Sequence, residues 1–253
     1  MWLQLKFNKN SGMTTLKKIL VAFGIILLTG CGEDEIQVVG LKGTLKGNVF
    51  QSGSTAGLEK VTVKIEGTDP MLELVTDTEG RFIVPNLRTG TYNFIFTKPG
   101  YGTYKVLGHT FVGGETDSYL SATLWRLPEF KISALEATIT ESFGFVRISG
   151  DIFVDLPDEN SFGYFRYYLH NQSDISPSQY SESDILDYYY STSVTRFSIG
   201  VDKNKYPPGS NLYMIVYPCM ETSSSYLDLE TGNKIYSSIA TSGSAAILFT
   251  VPL

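Results

Sequence analysis

Apolar and polar residues alternate along most of the chain after residue 42, and this period of two is typical of half-buried β-strands. In residues 61–66, for example, Val61, Val63 and Ile65 fall on one face of a strand and the polar residues fall on the other. Glycine, proline, asparagine and aspartate occupy the intervals, as tight turns require. Strands are predicted at residues 44–50, 61–66, 73–76, 81–84, 91–97 and 118–124, and again at residues 136–140, 145–154, 163–170, 194–201, 212–218 and 245–253.

The pattern predicts an all-β fold with two consecutive β-sandwich domains, at residues 43–126 and 130–253. Pro128 lies between the two regions, where proline interrupts strand pairing. The composition agrees, because 24 Gly, 16 Tyr and 15 Phe favour strands joined by glycine turns. With 42% hydrophobic and 18% charged residues, the chain is expected to be globular rather than disordered.

The acidic segment Asp77-Thr78-Glu79-Gly80 is either a cation-binding loop or the bend between two strands. A calcium loop needs a longer run of oxygen ligands and a distal bidentate glutamate, whereas only Asp77 and Glu79 carry carboxylates here. Gly80 supplies the positive φ that a tight turn needs, and Asp77 can accept backbone N–H bonds. We therefore expect a bend and no metal.

The same region resembles the carboxypeptidase regulatory-like domain. The resemblance rests on ordered motifs between Gly43 and Trp125: GNV at residues 47–49, GLEKVTVKI at 57–65, TDTEGRF at 76–82, LRTGTY at 87–92 and KPGY at 98–101. It implies a seven-stranded prealbumin-like sandwich, which is the non-catalytic companion of the peptidase. It also implies a spacer, an interaction surface or a starch-binding-like role.

The second region contains the segment YPPGSNLYMIVYP at residues 206–218, which resembles the turn and strand of fibronectin type III and related immunoglobulin-like sandwiches. A polar insertion at residues 171–193 precedes it. Within the insertion, residues 181–190 (SESDILDYYY) are compatible with one or two helical turns. A connection of this length is either functional or loosely ordered.

The N-terminal residues 1–30 have the layout of a signal peptide. Lys17 and Lys18 precede an apolar run at residues 19–28, whose length as a helix is about 15 Å, half of a bilayer core. The following LTGC resembles the lipobox of bacterial lipoproteins, which implies acylation of Cys31 and anchoring to the outer membrane. The alternative is an incidental cysteine after a secretory signal. Either Met1 or Met13 can be the natural start.

An acidic cluster, Glu33, Asp34 and Glu35, follows Cys31 within a tether at residues 31–42. It resembles the surface-export signal of lipoproteins in the Bacteroidetes group, and the alternative is a solvated tether beside the membrane. Removal of residues 1–30 deletes four lysines and no acid, so the formal charge changes from −6 to −10. A chain this acidic, without a basic stripe, is not expected to bind nucleic acid.

The candidate chemistry is sparse, so no catalytic residue and no cofactor are predicted. His109 and His170 lie in different predicted domains, and acylation of Cys31 leaves Cys219 as a single thiol, expected to be a small buried hydrophobe. These residues cannot assemble a Cys/His zinc site or a disulfide. A nucleophile elbow, a P-loop and an HExxH motif are absent from the sequence. A hydrolase with an unrecognised site remains the third hypothesis.

Tyrosine is concentrated in the second region, where 12 of the 16 tyrosines lie between Tyr164 and Tyr236. Neighbours in a strand point to opposite faces, so Tyr167 and Tyr168, and the triplet Tyr188, Tyr189 and Tyr190, are expected to leave rings exposed. Exposed tyrosine suits glycan stacking or protein contacts, and the alternative is ordinary cross-strand packing. The leading hypothesis is a non-catalytic binding module for a polysaccharide or a protein, and the second is a structural component of an envelope assembly that pairs through its sheet edges.

Overall fold

The alternating segments of the chain fold as β-strands. The structure is a computed structural model that describes residues 41–156, 162–190 and 193–253, with the backbone alone at residues 162 and 187–190. Every helix or strand assigned within those ranges is a strand, which confirms the predicted all-β class. None of the described residues forms a helix that is long and apolar enough to cross a membrane.

The first half of the described chain forms two sheets. One has the strand order β3-β2-β5-β6 and the other the order β4-β1-β7, in which β1 pairs antiparallel with β4 and parallel with β7. The strands are β1 (Lys42–Gln51), β2 (Thr62–Glu66), β3 (Leu72–Val75), β4 (Arg81–Arg88), β5 (Gly90–Thr97), β6 (Tyr104–Phe111) and β7 (Ser118–Leu124).

One hydrophobic core joins these two sheets into what we call the first sandwich. Alternate residues of the strands point into it, for example Val63 and Ile65 from one sheet and Leu45 and Val49 from the other, all fully buried. Burial of each such side chain stabilises the fold by about 1.5–3 kcal/mol. The alternation seen in the sequence therefore records which face of each strand meets the core.

The second half forms two larger sheets, with strand orders β12-β9-β8 and β11-β10-β13-β16, and a separate small hairpin of β14 and β15. Every named strand pair in these sheets is antiparallel. The strands are β8 (Lys131–Ser142), β9 (Phe145–Asp155), β10 (Phe162–His170), β11 (Glu182–Tyr190), β12 (Val194–Val201), β13 (Asn211–Cys219), β14 (Ser225–Leu227), β15 (Lys234–Tyr236) and β16 (Ile247–Thr250).

A second core lies between the two larger sheets, and we call this unit the second sandwich. It contains Ile148 and Ile152 of β9, Leu212 and Met214 of β13, and further buried residues from Phe130 to Val251. The two cores share no residue, although residues 41–253 form one compact unit. The division into domains at residues 43–126 and 130–253 stays a prediction.

One expectation about local structure is corrected. Residues 182–190 form strand β11 rather than helical turns, and a β-bulge where β11 faces Phe165 and Arg166 disrupts the alternation there. Because Ile185 pairs with Arg166 and Asp187 with Phe165, the extra residue Leu186 shifts the side-chain pattern, so the period of two is lost in the sequence. Strand β6 and the hairpin β14–β15 were not predicted from the sequence pattern.

Candidate binding surface

The predicted tyrosine surface is wrong for Tyr167 and Tyr168, because both side chains are buried, with 7% and 0% exposure. Tyr167 belongs to the second core. Tyr168 points to the other side of the sheet, where its ring meets those of Tyr180 and Tyr217 edge-on, with centroids 5.0 and 5.9 Å away. Burial raises the pKa of both phenols above the ordinary value. Neither ring is available to a ligand.

The reason is that the sheet β11-β10-β13-β16 is covered on both faces. Its outer face lies under the chain that follows β13, and Arg166 of β10 connects the two layers. The Arg166 guanidinium lies 3.4 Å from the centroid of the Tyr236 ring in β15, and its terminal nitrogen donates to the Thr222 carbonyl at 2.5 Å. Because this contact lies between residues distant in sequence, strand periodicity could not reveal the second layer.

The other predicted site residues are not tested. The triplet Tyr188–Tyr190 forms the end of β11, where its backbone lies opposite Tyr164, Gly163 and Phe162 of β10. The lipid-attachment residue Cys31 and the export residues 33–35 lie outside the described residues. All of these stay predictions.

The outer face of the sheet β12-β9-β8 is different, because polar side chains cover it and they remain partly or fully exposed. We call this surface the open face. Cross-strand pairing arranges its side chains in rows, since Thr138 lies opposite Ser149, Ser149 opposite Ser198, and Asp151 opposite Arg196. The open face consists of Glu136, Thr138 and Thr140 of β8, Arg147, Ser149 and Asp151 of β9, and Arg196 and Ser198 of β12.

Two groups of hydrogen-bonded side chains lie on the open face. The hydroxyls of Ser149 and Ser198 are 2.9 Å apart, and a guanidinium nitrogen of Arg147 donates to the Ser198 hydroxyl at 3.3 Å. The Arg196 Nε donates to an Asp151 carboxylate oxygen at 3.2 Å, while the Arg196 side chain stays 87% exposed. The surface therefore presents donors and acceptors that are oriented by one another and still reach solvent.

The face is bounded by apolar groups. Phe145 is 73% exposed at one end, beside the turn residue Phe143, which is 98% exposed. At the opposite end, Leu186 and Phe197 help to line a depression of about 690 Å³ that also contains the Asp151–Arg196 pair. The distance along β9 from Asp151 to Phe145 is about 20 Å. This length and the flatness of a sheet suit an extended ligand.

The sequence pattern indicated part of the open face. Arg147, Ser149 and Asp151 occupy alternate positions of a predicted strand, so they mark a face away from the core. The sequence does not show which polar face stays uncovered. That depends on the chain after β13, which covers one large sheet of the second sandwich and leaves the other open.

The acidic bend in the first sandwich has its carboxylate groups occupied by donors of the protein. One Asp77 oxygen accepts from the Glu79 and Arg81 backbone amides at 2.9 and 2.8 Å, and the other accepts from the Arg81 side chain at 3.1 Å. Gly80 has a φ of +74°, as predicted for a turn. Within the described ranges, no group of three His, Cys, Asp or Glu residues is arranged to hold a metal ion.

The thiol of Cys219 is also inaccessible to solvent and to reagents. Cys219 is fully buried at the end of β13, and burial raises the pKa of its thiol to about 12. A thiol in this environment stays protonated and unreactive at neutral pH. Its expected role as a small buried hydrophobe is confirmed.

Comparison with known proteins identifies the first sandwich. Residues 44–124 match the family model of the carboxypeptidase regulatory-like domain, so the chain contains this domain within the range that the sequence motifs indicated. It is a regulatory, non-catalytic β-sandwich domain. No curated protein matches the chain.

Several solved structures match the chain at low similarity. A proposed carbohydrate-binding protein from Bacteroides uniformis is 9% identical, with 84% of this chain and 100% of that chain covered and a TM-score of 0.36. A DUF3823 family protein from Parabacteroides merdae is 13% identical, with 83% and 100% covered and a TM-score of 0.34. A chain of a type II Cohesin-X-Dockerin complex from Acetivibrio cellulolyticus is 25% identical, with 33% and 58% covered and a TM-score of 0.29. These likenesses are too distant to indicate a ligand.

Proposed function

We propose that the chain is a non-catalytic, surface-exposed outer-membrane lipoprotein that binds polysaccharide on the open face of its second sandwich. The observation that carries the proposal is the exposed, mutually oriented row of Arg196, Asp151, Ser198, Ser149 and Arg147. The regulatory-like domain supports a non-catalytic role. The lipobox-like sequence at Cys31 and the acidic residues after it support the location.

A carbohydrate fits the chemistry of this face. Sugar hydroxyls both donate and accept hydrogen bonds, and the face offers acceptors at Asp151, donors at the two arginines, and hydroxyls that can do either. The apolar side of a sugar ring can pack against an exposed aromatic ring, which Phe145 supplies at the end of the row. Because the face is open and its contacts are mostly polar, it favours a weak interaction with an extended ligand. A small apolar molecule would instead need a deep pocket.

The expected affinity is modest. Each exposed hydrogen bond contributes about 0.5–1.5 kcal/mol, and bonds to charged groups contribute about 1.5–3 kcal/mol. A few such contacts with one aromatic stack correspond to dissociation constants of about 1 mM to 1 μM. Many anchored copies that bind one polymer would raise the avidity without new contacts.

The second sandwich is proposed to be immunoglobulin/fibronectin III-like. Its two antiparallel sheets, with orders β12-β9-β8 and β11-β10-β13-β16, support this assignment. Such sandwiches carry variable loops and exposed sheet faces on a stable core, which suits a binding module. The fold by itself specifies no ligand.

The test is retention of the full chain, extracted in mild detergent, on gels that contain host or plant polysaccharides. Arg196→Ala should weaken retention at least about tenfold, because it removes an exposed charged donor from the face. Phe145→Ala should weaken it through loss of the stacking surface. Lys64→Ala is the control, since Lys64 also forms a surface ion pair, with Glu73 at 3.3 Å, but on the first sandwich.

Three outcomes would contradict the proposal. Retention unchanged by both Arg196→Ala and Phe145→Ala would remove the open face as the site. Retention abolished only by alanine at Tyr188, Tyr189 and Tyr190 would move the ligand to the end of β11. Turnover of any polysaccharide by the wild-type chain would show that the protein is an enzyme.

A further inference from the structure

Strand β8 forms a long edge of its sheet. It spans 12 residues, Lys131–Ser142, and within the sheet it pairs on one side only, with β9. Among the described residues, no backbone group outside β9 forms a hydrogen bond with its backbone. Unpaired edges of this length readily accept a further strand, so natural proteins usually protect them.

The lysine and the bulge, two of the usual protections of an edge strand, lie in the first residues of β8. Lys131 begins the strand, and a register irregularity lies between Ile132 and Ala134. From residue 134 to residue 142 the strand contains neither proline nor lysine. In addition, Leu135, Ala137 and Ile139 pack against the second core yet are only half-buried, so part of their apolar surface still reaches solvent along this edge.

We propose that β8 pairs antiparallel with β8 of a second copy of this chain, with Thr138 opposite Thr138. The hairpin turn indicates which groups are free. Phe143 and Gly144 have φ values of 50° and 79°, as in a two-residue turn, so Ser142 and Phe145 form its closing hydrogen-bonded pair. Counting back along β8, the backbone groups that point to the open edge are those of Leu135, Ala137, Ile139 and Glu141.

The Thr138-centred register uses all four of these residues. Leu135 then pairs with Glu141 of the second copy, and Ala137 pairs with Ile139, so both chains complete the free hydrogen bonds. A centre at Ile139 would place Leu135 opposite the turn residue Phe143, and a centre at Ala137 would place Glu141 opposite Ser133, at the register irregularity of β8. A centre at Glu136 would place two glutamates opposite each other, which is unfavourable.

Charge also permits this register. Glu141 accepts from Lys203 Nζ at 2.7 Å in its own chain, so its carboxylate is already neutralised when it faces Leu135 of the second copy. Glu136 faces Thr140, and the two threonines at the centre form a favourable cross-strand pair. The added strand would cover the half-buried side chains at the margin of each core.

The pairing would join two three-stranded sheets into one of six strands, with a two-fold axis perpendicular to it. Such an axis keeps both open faces on the same side. This consequence rests on the proposed function, whereas the pairing itself rests on the edge and holds without any ligand.

A disulfide test reads the register directly. In intact cells that make the full chain, Thr138→Cys should form a disulfide-linked dimer under mild oxidation, because directly opposed residues in a non-hydrogen-bonded pair have Cα atoms about 4.5 Å apart, within the disulfide range. Thr140→Cys is the matched control, since its counterpart would lie about 13 Å away along the strand. The parent chain controls for any disulfide through Cys31, and Cys219 is buried.

A second variant separates pairing from folding. Ala137→Pro removes an N–H that points to the open edge, a position at which edge strands tolerate proline. In the Thr138→Cys background it should abolish the linked dimer while the melting temperature changes by only a few degrees. Thr138→Cys and Thr140→Cys linking equally, or neither linking, would overturn the proposal. Amide exchange that shows the N–H groups of Leu135, Ala137, Ile139 and Glu141 protected in the monomer would overturn it too, because another segment would then cover the edge.

Discussion

Replacement of Gly80 by alanine should destabilise the first sandwich through two separable effects. Gly80 has a φ of +74°, where a residue with a Cβ is strained by about 1–2 kcal/mol. A Cβ at this position would also lie 2.4 Å from the Val49 carbonyl oxygen and 2.6 Å from the Leu58 nitrogen. Both are backbone atoms, so relief requires a shift of the turn against β1, at a cost of about 1–3 kcal/mol. The expected loss of unfolding free energy is about 2–5 kcal/mol.

Gly53 provides the matched control, since its φ is +73° and no atom lies within 4 Å of the point that a Cβ would occupy there. Gly53→Ala should therefore cost the backbone strain alone, about 1–2 kcal/mol. The assay is urea unfolding of both variants and the wild-type chain, followed by circular dichroism. Equal losses for the two variants would refute the argument that the close approach of Gly80 to β1 matters.

Further predictions concern the membrane anchor, the acidic bend and the hairpin turn after β8. Cys31→Ala should release the protein from the outer-membrane fraction, which cell fractionation measures. Alanine at residues 33–35 should leave acylation intact but protect the protein from protease added outside intact cells, which a protease-accessibility assay measures. Hydrogen bonds from Arg81 hold the pKa of Asp77 below its usual 3.8. Asp77 therefore stabilises the fold above that pH and loses this contribution as the pH falls through its lower folded-state pKa. Addition of calcium should leave the melting temperature unchanged. Phe143→Asn should leave stability equal or higher in thermal melts, because asparagine tolerates positive φ and the exposed phenylalanine ring buries almost nothing.

The fold could be predicted wherever one face of a strand meets a core and the other meets solvent. Residues 118–124 were predicted as a strand with the bounds that the structure has, because Leu120, Ala122 and Leu124 alternate with exposed residues. Strand β6 could not be predicted in the same way, because residues 104–107 are all half-buried and Gly108 has a positive φ. Periodicity is informative only when the two faces of a strand differ.

The candidate site was harder to predict because burial of a polar-looking strand depends on contacts distant in sequence. Tyr168 was expected at the surface because it lies on the face of its strand away from Tyr167. It is nevertheless fully buried, under the chain that contains Tyr236. Alternation indicates which side of a strand a residue takes, but it does not indicate how many layers lie above that side. The carboxypeptidase regulatory-like motifs avoided this difficulty, since their spacing identifies a complete arrangement of strands.

The distribution of polar groups in the second sandwich gives a reason to place function on β8, β9 and β12. Where the chain after β13 covers a sheet, the two terminal nitrogens of the buried Arg166 donate to Thr222 and Ser183, and its guanidinium stacks on Tyr236, so these groups serve the fold. On the open face, the Arg196 side chain is 87% exposed, and an exposed ion pair of this kind contributes little to stability. A stable fold does not require arginine, aspartate and serine in register on that face. Their arrangement beside the edge strand β8 supports the two proposed contacts, with a polysaccharide above the sheet and with a second copy along β8.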